Sequence, residues 1–198
     1  MAATQTSFRI NNVRVAFPKF WEPSQFNGQG AWRCGGQFIL TPDHPQIGAV
    51  RDAIKAAAVA KWGAKAADKM KKAELNNKVC LRSGDSKSDY DGFAGNFVLS
   101  ANCKGGTTAE SATRPAVFNR NPQDGKCATE ADWHGYSGCY VNIVVSIYAD
   151  DRFGDGINCS LAGVQFAADG DAFAGAKASA SDFDTIEDGA TAGDFSIV

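Results

Sequence analysis

The sequence predicts a mainly β domain, a small five-stranded antiparallel barrel with one helix, followed by a disordered acidic tail. Three observations predict it. Five apolar, strand-like stretches are bounded by Gly, Pro, Asn and Asp. One stretch, after Pro45, repeats its apolar residues at helical spacing. Beyond Asp169 the chain is dominated by Gly, Ala, Ser and Asp, which leaves too little apolar surface to repay ordering it. Five twisted antiparallel strands of this size close most economically as a barrel. The domain is therefore expected over residues 1–168 and the flexible tail over 169–198.

The first strand reads FRINNVRVAF from Phe8 to Phe17. Phe8 and Ile10 share one parity, and Val13, Val15 and Phe17 the other. A one-residue bulge near Asn11-Asn12 sets all five on the core face and leaves Arg9 and Arg14 opposite. The connection that follows carries Phe20, Trp21 and Phe26 beside Lys19. In the second strand Trp32, Cys34, Gly36, Phe38 and Leu40 alternate with Arg33, Gly35, Gln37 and Ile39, and the Gly35-Gly36 pair predicts a sharp bend.

Thr41-Pro-Asp-His-Pro45 supplies helix-start chemistry, with Thr41 or Asp43 as cap. Ile47, Val50, Ile54, Ala58 and Trp62 then form one apolar helical stripe, and Gly63 is the expected stop. Residues 61–82 are basic, and Ser83–Gly95 is a polar loop holding Tyr90 and Phe93. Asn96–Cys103 is a short strand, and Arg114–Arg120 is short and extended. The clearest strand is Cys139–Tyr148, with an apolar face from Cys139 to Ile147 and a mixed face bearing Tyr140 and Tyr148. A Gly- and Asp-rich turn at 150–156 leads into the last strand, Ile157–Phe166.

The totals narrow the function classes. No apolar run approaches the roughly 20 residues a membrane helix needs, and residues 1–7 lack the features of a signal peptide, so a cytoplasmic protein is expected. Six cysteines fall singly, with no C-x-x-C pair and two histidines; this argues against a zinc cage and for reduced, buried thiols. Residues 1–149 carry 18 Lys+Arg against 12 Asp+Glu, a difference of +6, while residues 150–198 carry 2 against 10, a difference of −8. A basic body joined to an acidic end suits a nucleic-acid partner.

Catalytic signatures are missing. GYSG at 135–138 lacks the spacing of a nucleophile elbow, and Asp150, Asp151 and Asp155 miss the positions of a calcium loop. No enzyme activity, cofactor or metal is expected. Binding of single-stranded nucleic acid needs cations that track phosphates and rings on which bases stack. The candidate phosphate contacts are Arg9, Arg14, Arg33, Lys65, Lys69, Lys71, Lys72, Lys78, Arg82 and Arg120. The candidate stacking rings are Trp21, Trp32, Tyr90, Tyr140 and Tyr148. In the tail, Asp182, Phe183, Asp184, Glu187, Asp188, Asp194 and Phe195 combine acids with rings as a short docking motif would. The competing classes are a structural β-domain that binds a protein or saccharide and, ranked last, a metal-dependent nuclease working through the loop acids.

Several segments also carry a likeness: VRVAFPKFWEP at 13–23, KWG at 61–63, LRSGD at 81–85, FNRNP at 118–122, YSGCYVN at 136–142 and VQFAADGDAF at 164–173. In this order they resemble a family of bacteriophage single-stranded-DNA-binding-like proteins. The resemblance implies an OB-fold barrel that coats single-stranded DNA during phage replication or recombination; a basic groove is also expected to hold a duplex, more weakly. The resemblance also implies a flexible acidic C-terminal tail; the +6/−8 charge split further suggests that the tail's acids occupy the basic groove when DNA is absent, regulating binding, and free the tip for replication or recombination proteins when DNA displaces them. Tails of single-strand-binding proteins commonly end in acids followed by an aromatic, whereas this one ends DFSIV.

Overall fold

The structure, a computed structural model, describes residues 7–26, 28–122, 125–152 and 154–173. Its elements are β1 (Ser7–Phe26), β2 (Gln29–Leu40), α1 (Ile47–Trp62), α2 (Ala66–Leu75), β3 (Leu81–Ser83), β4 (Phe97–Asn102), β5 (Ala116–Phe118), β6 (Tyr140–Asp150) and β7 (Gly156–Ala168). The sheet order is β3-β4-β2-β1-β6-β7-β5, and β4 pairs with β7 as well. That pairing closes β1, β2, β4, β7 and β6 into a five-stranded barrel. The closing seam is narrow: β4 and β7 share the parallel pair Asn102–Ser160, and Val79 bridges Ile157 beside it.

Strand alternation explains the interior. Ile10, Val13, Val15, Phe38, Leu40, Leu99, Val141, Ile143 and Val145 are buried, and each such side chain contributes about 1.5–3 kcal/mol by leaving water. The expected bulge is present: β1 shifts register against β6 between Ile10 and Val13, with Asn12 at φ 55°. The helical stripe holds too, for Val50, Ile54, Ala58 and Trp62 are buried and Gly63 ends α1 at φ 54°. Neither Thr41 nor Asp43 caps α1, whose N-cap is Gln46 without a side-chain hydrogen bond. A single 3₁₀ turn then leads into α2, where the sequence shows only a basic cluster.

Phe17 is a correction. The alternation places it in the core, but a second bulge separates the pairs Ala16–Gln37 and Lys19–Gly35. With φ at 51°, Phe17 turns outward and stays 45% exposed. Phe20 takes the interior place instead, at 1% exposure.

A second, smaller cluster lies outside the barrel. Loop 84–96 folds over the outer face so that Phe93 covers Ala16, Ile39 and Val98, with Phe173 packed alongside. Residues 169–173 are tied to the body beyond the expected boundary at 168. Tyr136 Oη donates to Gly170 O at 2.8 Å, and Phe173 N donates to Ser137 O at 2.9 Å. The tail residues singled out from Asp182 to Phe195 lie outside the described residues.

Candidate nucleic-acid interface

A groove of about 810 Å³ runs over the closing seam of the barrel. Alternation makes its walls polar. With Cys34 of β2, Leu99 and Ala101 of β4 and Cys159 and Leu161 of β7 turned inward, Arg33, Ser100, Asn102, Asn158 and Ser160 face out. Five cationic side chains line the groove: Arg33, Lys78, Arg82, Lys104 and Arg152. The stem of Arg33 packs against Gly105, where a Cβ would come within 3.1 Å of Arg33 Cγ. Arg82 Nη2 donates to Ser100 Oγ at 3.2 Å. Arg152 donates to both carboxylate oxygens of Asp150, with Nη2–Oδ2 at 2.6 Å. Those hydrogen bonds hold the Asp150 carboxyl down at about 2.

Asp150 is the one acid among the lining residues, and Arg152 neutralises it. The other cations leave the groove positive. The floor adds no opposing charge from Cys103 or Cys159. Burial pushes the Cys103 thiol up to about 12, and a hydrogen bond with Cys80 together with burial raises Cys159 further from ionisation. Tyr148, half-buried, supplies a ring in the wall.

The outer face continues from the groove along β2 and β4. The facing pairs Gly35–Asn102 and Gln37–Ser100 come next, then Ile39–Val98 beneath the second cluster. Gly35 is required by close approach: a Cβ there would lie 2.4 Å from both Ala101 O and Asn102 Oδ1. Lys19 pairs with Gly35 from β1 and stands in the same outward row. At the far end Phe17 and Tyr90 meet edge to face, with ring centroids 5.2 Å apart.

Four of the residues singled out in the sequence come together in the groove: Arg33, Lys78, Arg82 and Tyr148. Tyr90 stands at the far end of the same face. Others are engaged elsewhere. Arg14 donates to Gly138 O at 3.0 Å and to Asp171 O, and its guanidinium lies 4.2 Å from the Phe173 ring centre and 5.7 Å from that of Tyr140. Arg14 and Tyr140 thus clamp the start of the tail. Arg9 bonds Gln165 at 3.2 Å, and Arg120 bonds Ala167 O at 3.0 Å beside the Phe166 ring. Trp21 packs between Phe20 and Trp133. Trp32, half-buried, exchanges both backbone hydrogen bonds with Gly106 and has the inward parity of Cys34.

The basic cluster at residues 61–82 divides as well. Lys69 Nζ lies 2.7 Å from Asp155, and Lys72 lies 3.7 Å from it. Lys61 and Lys69 reach Asp151 at 3.4 and 3.9 Å. These pairs tether the β6–β7 loop to the helices and hold the Asp155 carboxyl below its usual range, chiefly through the Lys69 hydrogen bond. Lys65 and Lys71 are exposed and do not line the groove. Sequence reasoning missed Lys104 and Arg152. The signal for Lys104 was its place at the end of a strand before Gly105-Gly106; Arg152 sat in a turn read only for its acids.

A five-stranded barrel with a cationic groove across its second and third strands, reaching the loop between its fourth and fifth, defines a protein of the oligonucleotide-binding OB class. Comparison with known proteins makes this specific. The family described as "Enterobacter phage Enc34, ssDNA-binding protein" matches residues 6–195, and the chain belongs to that family. Protein p50 of Acyrthosiphon pisum secondary endosymbiont phage 1 is 42% identical over 182 residues, covering 90% of this chain and 92% of that protein. Two solved structures share the fold. The single-stranded DNA-binding protein of bacteriophage Enc34 in complex with ssDNA has a TM-score of 0.59 at 19% identity, over 86% of this chain and 91% of that one. The single-stranded DNA-binding protein gp2.5 of bacteriophage T7 has a TM-score of 0.53 at 12% identity, over 94% and 97%.

Proposed function

We infer that this protein binds single-stranded DNA in the seam groove and coats it during phage replication or recombination, in the cytoplasm of the host cell. The observation that carries the reading is the convergence of Arg33, Lys78, Arg82 and Lys104 with the Tyr148 ring on one polar face, in a member of a single-stranded-DNA-binding family. The cations hold phosphates, and rings beside them take unstacked bases at about 1–3 kcal/mol each. Binding of this kind makes and breaks no covalent bond. A duplex presents phosphates but no free base faces, so it binds the same groove more weakly. Competition between single- and double-stranded oligonucleotides across a salt titration tests this. Preference for the single strand, persisting as salt rises, is expected; equal affinity for both at every salt concentration contradicts it.

The acidic tail fits the same scheme. Its root at residues 169–173 is clamped by Arg14, Tyr136 and Ser137, and Phe173 belongs to the cluster at the end of the β2–β4 face. From there the acids reach the cationic groove when DNA is absent, and DNA displaces them to free Phe183 and Phe195 for a replication or recombination partner. A chain ending at Phe173 should bind DNA more tightly at low salt; equal or weaker binding refutes the displacement.

A further inference from the structure

We propose that Phe17 and Tyr90 form a second base-stacking subsite, separate from the groove, that takes a base of the same DNA strand as it leaves across β2 and β4. The proposal rests on the single-strand reading above. Its first support is backbone strain. Phe17 holds φ at 51°, a region sparsely populated by residues other than glycine, directly before Pro18, which favours extended backbone at the preceding position. The bulge that imposes this conformation turns an aromatic ring out of the barrel to 45% exposure. Bulges that re-aim a side chain in this way are found beside functional sites.

The second support is the partner ring. Tyr90 is 47% exposed although its loop is firmly held. Gly95 N donates to Asp85 Oδ1 at 2.7 Å, Asn96 Nδ2 donates to Gly92 O at 2.9 Å, and Phe93 is buried beneath. Phe17 and Tyr90 stand at 62° and 49° to Phe93, and at 89° to each other, the edge-to-face and tilted geometry that aromatic rings prefer, which does not cover their own faces. Each leaves apolar ring surface open to solvent.

The third support is position. The Phe17 bulge sits against Gln37, in the outward row that begins with Arg33, about 13 Å along β2 by strand geometry. Cations accompany the row. Lys19 pairs with Gly35, and Lys87 Nζ lies 5.9 Å from the Tyr90 ring centre, placed to hold a phosphate beside a base stacked there. Flat apolar rings flanked by cations, continuous with a phosphate-binding groove, match a nucleotide better than an apolar peptide.

The test is a length series of oligo-dT, from roughly 4 to 16 nucleotides, the range one OB fold covers. Phe17→Gly keeps the left-handed backbone without its ring, and Tyr90→Leu keeps apolar cover over Phe93 without a π-face. Both variants should bind the shortest oligonucleotide like the unaltered protein and lose about 5- to 150-fold in affinity for the longest, about 1–3 kcal/mol. Tyr90→Trp should retain full affinity, which a merely structural role would not require. With the unaltered protein, ultraviolet crosslinking to oligo-dT carrying 5-iodouracil should place crosslinks at Phe17 or Tyr90 as well as at Tyr148. Folded variants that bind every length like the unaltered protein, or crosslinks at Tyr148 with none at Phe17 or Tyr90, overturn the second subsite and leave the groove reading standing. No salt-dependent binding at any length refutes the groove reading itself.

Discussion

Removing Arg33 and Lys104 together tests the groove through its salt dependence. Of the lining cations, Arg33, Arg82 and Lys104 are counted as phosphate contacts, and Arg152 is held by Asp150. For a single strand the slope of log K against log salt is about −0.7 per neutralised phosphate. Three contacts therefore give a slope of about −2.1, and the double Arg33→Ala, Lys104→Ala variant about −0.7. Between 50 and 200 mM salt, affinity should fall about 20-fold for the unaltered protein and about 3-fold for the variant. Fluorescence anisotropy with labelled oligo-dT reads both slopes. The double Lys69→Ala, Lys72→Ala variant is the control, because those lysines are engaged with Asp151 and Asp155 and should leave the slope unchanged. A slope that survives loss of Arg33 and Lys104, or collapses on loss of Lys69 and Lys72, refutes the assignment of the groove.

Other consequences concern the scaffold. Gly35→Ala drives a methyl group to within 2.4 Å of Ala101 O, so a loss of about 1–3 kcal/mol is expected in urea unfolding. In the native protein Cys127 is exposed and the other five cysteines are buried; a thiol reagent should modify one equivalent rapidly and five more on unfolding. Asp150 is held at about 2, below the unfolded value of about 3.9. Its ion pair with Arg152 therefore stabilises the fold above pH of about 4 and is lost only as pH falls through about 2. No histidine lines the groove, so oligo-dT affinity should stay flat from pH 5.5 to 8; a titration near pH 6.5 would contradict the lining.

Much of the barrel was legible because alternation is a strong signal wherever one face is buried. The bulge at Asn11-Asn12 could be read because Phe8 and Ile10 differ in parity from Val13 and Val15. The bulge at Phe17 could not. Pro18 and Phe20 permit either register, and only pairing against Gly35 and Gln37 decides which ring goes in. The helix α2 was hidden because its ten residues bury only Ala66 and Ala73, a stripe too thin to stand out. At the site, composition revealed the basic body but not which cations are engaged. Lys69 and Asp155 are 86 residues apart in sequence, and the fold alone joins them. Arg33, Arg82 and Tyr148 come from three different strands. Residue types could nominate them, and only the seam between β4 and β7 brings them together.

Backbone amide shifts measured during titration with oligo-dT test the central claim most directly. Changes are expected along residues 31–37 of β2, residues 100–105, the loop and strand from Tyr148 to Ser160, and around Phe17 and Tyr90, with α1 and α2 little affected. Changes concentrated on Lys65 and the lysines of α2, or on the Arg9–Gln165 side of the barrel, would contradict it.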